Sequence, residues 1–148
     1  MQYLIPLMLL VISQSVFSCS CKRIHGSVEE KIAHYYNNSD AVFFALITDS
    51  KIEGDPSGFS AVNNRFHVIH QYRGNPSQWE VLTTEGSNGT SCATRLITGG
   101  RYLFFLNYNH INYCSWFIPI GGPYDDKKYR HIMEKVVALE RLNLDSEE

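Results

Sequence analysis

The apolar and polar positions of this chain predict a series of short strands framed by two helices. An unbroken apolar run at 41–48, which includes two Phe residues, predicts a strand buried on both faces. Segment 65–72 alternates with the period of a strand. One predicted face holds Phe66, Val68, His70 and Tyr72. The opposite face holds Arg65, His67, Ile69 and Gln71. Further strands are predicted at 79–84, 101–106 and 113–120, with loops at 51–60 and 85–90 and turns at 73–76 and 107–112.

Two helices are expected, one before the first strand and one after the last. Ser27 and Glu30 have the S-x-x-E spacing of a capping box, which predicts a helix to about residue 36, ended by the turn formers at 37–40. A second helix is predicted at 125–142, with Asp125 and Asp126 at its electropositive start. Its apolar positions recur at helical spacing and are Tyr129, Ile132, Met133, Val136 and Leu139.

The elements together predict a mainly β fold. Five short strands with flanking helices favour a five-stranded OB-like Greek-key barrel at about 19–120, followed by a C-terminal amphipathic helix at about 125–142. A β-sandwich is the alternative that the strand count leaves open.

Residues 1–18 have the features of a secretory signal peptide. An apolar stretch from residue 4 to 12 is followed by polar residues, and it is too short for the roughly 20 residues that span a bilayer. Cleavage after Ser18 would leave 19–148 as a single domain, secreted to the extracellular space as a monomer. A periplasmic location is an alternative. A lipid-anchored protein is another, because a lipoprotein signal also ends just before a cysteine.

Charge and motif content exclude several function classes. The formal net charge of −2 argues against nucleic-acid binding, which needs a basic face. No nucleophile elbow, zinc-protease motif or phosphate-binding glycine loop occurs, so we expect no enzymatic activity and no cofactor. His67 and His70 fall on opposite faces of the predicted strand, so no metal of the protein's own is expected. Asn37 and Asn88 begin N-glycosylation sequons.

Four cysteines follow the predicted signal peptide, and an even number in a secreted chain implies two disulfides. A bond between Cys19 and Cys21 would close too small a ring. Two pairings remain: Cys19–Cys92 with Cys21–Cys114, or Cys19–Cys114 with Cys21–Cys92. A structural zinc site built from all four thiolates would need a reducing compartment, and the signal peptide argues against one.

Cleavage after Ser18 would make Cys19 the first residue, with a free α-amine. A neutral amine and the carbonyl of the same residue can together chelate a metal ion, and two nearby disulfides would hold them in place. Such an end could occupy the open coordination position of a catalytic zinc in another protein. The alternative is that the C-x-C sequence is a structural staple.

The order of these motifs resembles that of the tissue inhibitors of metalloproteinases, whose inhibitory domain is a netrin-like module. The resemblance runs from residue 19 to about 119. It consists of C-S-C at 19–21, N-S-D at 38–40, Y-R-G at 72–74, S-C at 91–92, G-x-x-Y-L-F-F at 99–105, and Cys114.

The resemblance implies an OB-like barrel with the bridges Cys19–Cys92 and Cys21–Cys114. It further implies that the amine and carbonyl of Cys19 chelate the zinc of a target metalloendopeptidase, while Ser20 enters its specificity pocket. The other inhibitory contacts would come from Cys21, Lys22 and Arg23, and from a second ridge of Thr90, Ser91 and Cys92.

The chain also departs from the family pattern. A third bridge is absent, since Asn37 stands near the position of one of its cysteines, and Lys22-Arg23 replaces a stretch that often carries proline nearby. The alternative function is a non-inhibitory extracellular netrin-like module that binds a partner through the surface of the barrel.

Overall fold

The computed structural model describes residues 20–22, 24–54, 60–86, 93–121 and 126–146. Within these ranges the fold is mainly β, with six strands and two α-helices. The strands are β1 Ala41–Glu53, β2 Ala61–Arg73, β3 Leu82–Glu85, β4 Arg101–Leu106, β5 His110–Ile111 and β6 Trp116–Ile120. The helices are α1 Val28–Asn38 and α2 Asp126–Ser146, and a short 3-10 turn covers Pro76–Gln78.

Both predicted helices are present. The capping box of α1 is confirmed: the hydroxyl of Ser27 accepts from the Glu30 N–H at 3.2 Å, and the Glu30 carboxylate accepts from the Ser27 N–H at 2.7 Å. These bonds satisfy two N–H groups that have no partner inside the helix. Helix α2 continues to Ser146, beyond the predicted end at 142, because no Gly or Pro follows residue 142 to stop it.

The six strands form one mixed sheet in the order β5-β3-β2-β1-β4-β6. All neighbours are antiparallel except β3 and β5, which are parallel. The two edge strands, β5 and β6, are joined by residues 112–115 alone. A connection from Ile111 to Trp116 reaches at most roughly 18 Å. The sheet therefore curls until its two edges approach each other.

Each face of the sheet covers its own core, and β1 belongs to both. On one face, Ala41, Phe43, Ala45 and Ile47 pack with Leu82, Phe104 and Ile111. On the other, Val42 packs with Leu103 and Phe105 of β4, Ile32 and Tyr36 of α1, and Ile132 and Val136 of α2. The prediction that the apolar run is buried on both faces is thus confirmed over 41–47. Burial of such side chains contributes about 1.5–3 kcal/mol each.

Several predicted strand limits are wrong. The loop expected at 51–60 is shorter, since Lys51 pairs with Asn63 and Glu53 with Ala61 across β1 and β2. The polar ends of β1 and β2 therefore continue the ladder, because each offers the other a partner. The third strand begins at Leu82 rather than at residue 79, and a 3-10 turn at Pro76–Gln78 comes before it. The fifth predicted strand, 113–120, begins only at Trp116.

A face assignment on β2 is also wrong, because two β-bulges interrupt the alternation. The register between β1 and β2 shifts at Ile69 and again at Tyr72. His67 pairs with Leu46 and His70 with Phe44. Residues that face each other across an antiparallel ladder share one face. His67 and His70 therefore lie on the same side of the sheet, although strict alternation would separate them.

Neither α1 nor α2 is both long enough and apolar enough to cross a bilayer, and the same holds for every helical stretch in the described ranges. The predicted signal peptide at 1–18 lies outside the described residues.

Candidate functional site

The predicted N-terminal site is visible as a short strap, Ser20 to Lys22, fixed to the sheet by a disulfide. Cys21 is bonded to Cys114, with the two Cα atoms 5.4 Å apart. The Cys114 sulfur also lies 3.9 Å from the carbonyl oxygen of Ser20. A disulfide sulfur carries no proton, so this second approach is a contact and not a hydrogen bond.

The bond decides which partner Cys21 has and bears on the alternative of a structural zinc site. It excludes the pairing of Cys21 with Cys92 and removes two of the four thiolates that a structural zinc site would need. Cys19 and Cys92 lie outside the described residues. In the part of the chain that the structure describes, no group of three His, Cys, Asp or Glu residues could hold a metal ion.

Cys114 is held in position by the turn at 112–115. The side-chain oxygen of Asn112 accepts a hydrogen bond from the Cys114 N–H at 2.8 Å. The hydroxyl of Ser115 accepts from the Asn112 N–H, and the Ser115 N–H donates to the Asn112 carbonyl, both at 3.0 Å. This turn separates β5 from β6 and includes the first three residues of the strand predicted at 113–120. Because these residues form a turn, Cys114 can reach the strap.

Stacked aromatic rings connect this turn to the body of the protein. Trp116, the first residue of β6, stacks on Tyr35 of α1 with ring centroids 4.3 Å apart. It also contacts Phe105 of β4 at 4.6 Å. Aromatic contacts of this kind are worth about 0.5–1.5 kcal/mol beyond the area that they bury. The strap is therefore anchored through Cys114 to an element that packs on both α1 and β4.

The strap borders an open cleft of about 780 Å³. The side chains of Ser20 and Lys22 are exposed, while that of Cys21 is half-buried. The described residues that line the cleft are Ser20, Cys21, Lys22, Ile24, His25, Gly26, Lys31, Tyr35, Tyr113, Cys114, Ser115 and Trp116.

Some residues of this cleft were singled out in the sequence as inhibitory contacts, and others were not. Ser20, Cys21 and Lys22 line it together with Cys114, and the bond between Cys21 and Cys114 is one of those predicted. The role of these residues in inhibition stays a prediction. Lys31, Tyr35, Tyr113 and Trp116 were not singled out, because nothing in the local pattern separates a cleft-lining aromatic residue from a core one. Glycosylation at Asn37 would fall on an exposed residue in the last turn of α1.

The other predicted site residues lie outside the described residues. They are Cys19, Arg23, Asn88, Thr90, Ser91 and Cys92. The proposed second contact ridge at 90–92 therefore stays a prediction.

Two tyrosines with perturbed pKa values do not belong to the cleft. Burial, reinforced by the negative charge of Glu140, raises the pKa of Tyr72 to about 12. Burial also raises the pKa of Tyr36, whose hydroxyl donates to the Tyr72 carbonyl at 3.1 Å. Both residues pack in the core between the sheet and the helices, so their shifts reflect the packing of that core.

A scan against protein-family models found no matching family, and a search of curated proteins found no match.

Proposed function

We propose that this protein is a secreted inhibitor of zinc metalloendopeptidases, of the kind formed by the tissue inhibitors of metalloproteinases, and that it acts through its N-terminus. The observation that carries the proposal is the bond between Cys21 and Cys114, next to an exposed Ser20 at the rim of a cleft. Chain ends ordinarily fray. A covalent tether this close to the predicted mature N-terminus is consistent with an end that must be held rigid.

In the proposed mechanism, cleavage after Ser18 frees the α-amine of Cys19. Its ordinary pKa of about 7.7–8.0 leaves a share of it neutral near pH 7, and binding to a metal favours that form. The amine and carbonyl of Cys19 then chelate the zinc of the target at the position its catalytic water would occupy. Ordering a flexible end would cost about 1–2 kcal/mol per residue, and the disulfides remove much of that cost beforehand.

The residues after Cys19 extend the contact along the target's cleft. Ser20, with a short polar side chain, enters the specificity pocket beside the zinc, and Cys21, Lys22 and Arg23 follow. A second bond, Cys19–Cys92, would bring Thr90, Ser91 and Cys92 beside the strap as a second ridge.

The connectivity of the sheet supports an OB-like barrel as the finer description of the fold. Strands β5 and β6 can be counted as one strand interrupted by the turn at 112–115. That strand would pair with β3 through its first part and with β4 through its second. The order then becomes a closed ring, in which the interrupted strand joins the two ends of β3-β2-β1-β4. Five strands closed in this manner are the arrangement of an OB-like barrel.

The test is a titration of the processed protein against a panel of zinc endopeptidases. An added Ala before Cys19 serves as the control, because it moves the free amine one residue away from the Cys19 carbonyl without changing the fold. We expect inhibition by the native form, a loss of at least about a hundredfold in the extended form, and weaker inhibition by Ser20→Gly. An intact mass without added lipid, and four protons below that of the reduced chain, would support a free amine and two disulfides.

Equal potency of the native and extended forms would refute the chelating amine. Inhibition of no panel member would favour the alternative function, a netrin-like module that binds an extracellular partner without contacting a protease.

A further inference from the structure

The cleft beside the strap has a charge that differs from that of the protein as a whole. The chain carries a formal net charge of −2, yet the cleft is lined by Lys22, His25 and Lys31. None of the described residues that line it is Asp or Glu. Within those residues, no ion pair occupies any of the three basic side chains. Their hydrogen-bond donors are therefore available to a ligand.

The acidic side chains nearest in sequence to Lys31 already have partners. Glu30 accepts the hydrogen bond from the Ser27 N–H that completes the cap of α1. The Glu29 carboxylate contacts the ring nitrogen of His131 on α2 at 2.8 Å. The Glu30 carboxylate lies beside Gly26 at the edge of the cleft, but it is occupied by this cap. The first turn of α1 thus supplies Lys31 to the cleft, while both of its acids already have partners.

The aromatic residues of the cleft add further donors. Tyr113 is 54% exposed, and Tyr35 lines the same space while its ring is fixed against Trp116. Tyrosine hydroxyls and lysine ammonium groups both donate to carboxylates. A wall whose described residues include both kinds of donor, and no Asp or Glu, is complementary to an acidic peptide segment.

We propose that this cleft receives an acidic segment of the inhibited protease, located at the rim of the protease's own active-site cleft. The proposal rests on the proposed function and extends it, because it specifies the charge of the preferred targets. With a net negative charge elsewhere, the protein would attract such a partner on this side and repel it on others. Charges at the rim of an interface act chiefly on the association rate and on its dependence on salt.

The decisive variant is Lys31→Gln, because Lys31 lies on α1 and outside the strap. Glutamine forms helices about as well as lysine, so the fold is retained. The matched control is Lys51→Gln, which makes the same charge change at an exposed residue of β1 that does not line the cleft. Lys31→Arg keeps the positive charge and tests whether that charge alone is enough to maintain inhibition. The measurement is the association rate and inhibition constant against a panel protease that the native protein inhibits, at about 10 mM and about 500 mM salt.

We expect Lys31→Gln to weaken inhibition about two- to fivefold at low salt, mainly through slower association. The difference should nearly vanish at high salt, where the screening length falls to a few ångströms. Lys51→Gln and Lys31→Arg should both remain within about twofold of the native protein.

If the native protein inhibits but Lys31→Gln and Lys51→Gln behave alike at low salt, the acidic-segment proposal is overturned and the inhibitor function stands. If the native protein inhibits no protease in the panel, both proposals fall together.

Discussion

Removal of the bond between Cys21 and Cys114 tests both the stability of the fold and the role of the strap. The bond joins residues with a sequence separation of 93. In the chain-entropy model, a loop of that length gives about 4.5 kcal/mol of stabilisation. If Cys19 and Cys92 are also bonded, as proposed, the additional loop contains only about 25 residues and the gain is about 3.5 kcal/mol. The variant Cys21→Ala/Cys114→Ala should therefore lose about 3.5–4.5 kcal/mol and roughly 10–20 °C in Tm.

Inhibition should also weaken among the molecules that remain folded, which a loss of stability alone would not cause. Without the bond, Ser20 and residue 21 must be ordered when the target binds, at about 1–2 kcal/mol each. We expect inhibition per folded molecule to weaken about tenfold or more. The assay combines urea unfolding with inhibitor titration at a temperature where both proteins remain folded.

A matched control separates loss of stability from loss of the tether. Asn64 is fully buried and donates to the Leu82 carbonyl at 2.9 Å, while its side-chain oxygen accepts from the Ser50 hydroxyl at 2.7 Å. Asn64→Ala removes these hydrogen bonds and leaves a gap in the core, which should cost about 2–4 kcal/mol. It keeps the disulfide, so its inhibition per folded molecule should equal that of the native protein.

Two outcomes would refute this reasoning. A loss of less than about 1 kcal/mol in the cysteine variant would contradict the loop-entropy argument. Inhibition by the cysteine variant equal to that of Asn64→Ala would show that the strap works without its tether.

Two further predictions concern local features. Hydrogen bonds from a backbone N–H, and then from His131 and Ser27, lower the pKa of the Glu29 carboxyl from 4.5 to about 2. The ionised carboxylate therefore stabilises the fold above pH 4.5, and this contribution is lost as the pH falls towards 2. Urea midpoints of the native protein and of Glu29→Gln, measured from pH 7 to pH 2, should differ at neutral pH and converge in acid; curves that stay parallel would contradict the pairing. Gly74 has φ +68°, and a Cβ there would lie 1.9 Å from the carbonyl oxygen of Asp40, so Gly74→Ala should cost about 2–5 kcal/mol. Gly99→Ala is the control, because Gly99 has φ +83° but no atom lies within 4 Å of the added Cβ. Urea unfolding should show a loss of only about 1–2 kcal/mol for this variant. Equal losses of stability at both positions would rule out the clash at Gly74.

The elements that sequence analysis identified correctly depend on neighbours within one helical turn or one strand. The cap at Ser27 and Glu30 needs residues three positions apart, and it forms as predicted. The stripe on α2 places Ile132 and Val136 in the core because a helix repeats every 3.6 residues. Strand β4 covers the predicted residues 101–106, since its apolar run has no competing pattern.

The elements that sequence analysis misplaced depend on partners far away in the chain. The bulges at Ile69 and Tyr72 arise from the register between β1 and β2, which no local pattern on β2 reveals. The bulge at Ile69 turns His70 to the face that carries Glu140 of α2, where the two side chains lie 3.6 Å apart. Likewise, His110 and Ile111 were assigned to a turn, and they form β5 only because β3 offers an edge with which to pair.

The candidate site also has one part that the sequence predicted and one part that it did not. Cysteine count and spacing narrowed the disulfides to two pairings, and the resemblance chose between them; the structure agrees for Cys21 and Cys114. The far wall of the cleft was not predicted, because Lys31 and Tyr35 come from α1, and Tyr113 from a turn that follows β5. Only the packing of α1 against the start of β6 brings them together.

By itself, then, the sequence determined the β-rich class, both helices and the burial of β1 on both faces, and it left Cys114 as one of two possible partners of Cys21. The first three are encoded by residue types at short and regular separations, whose energies are local. The order of the sheet, its bulges, the break at 112–115 and the basic cleft were decided only in the tertiary structure. These features depend on which strands pair and on which side chains fill the space between them, and such contacts form between residues tens of positions apart.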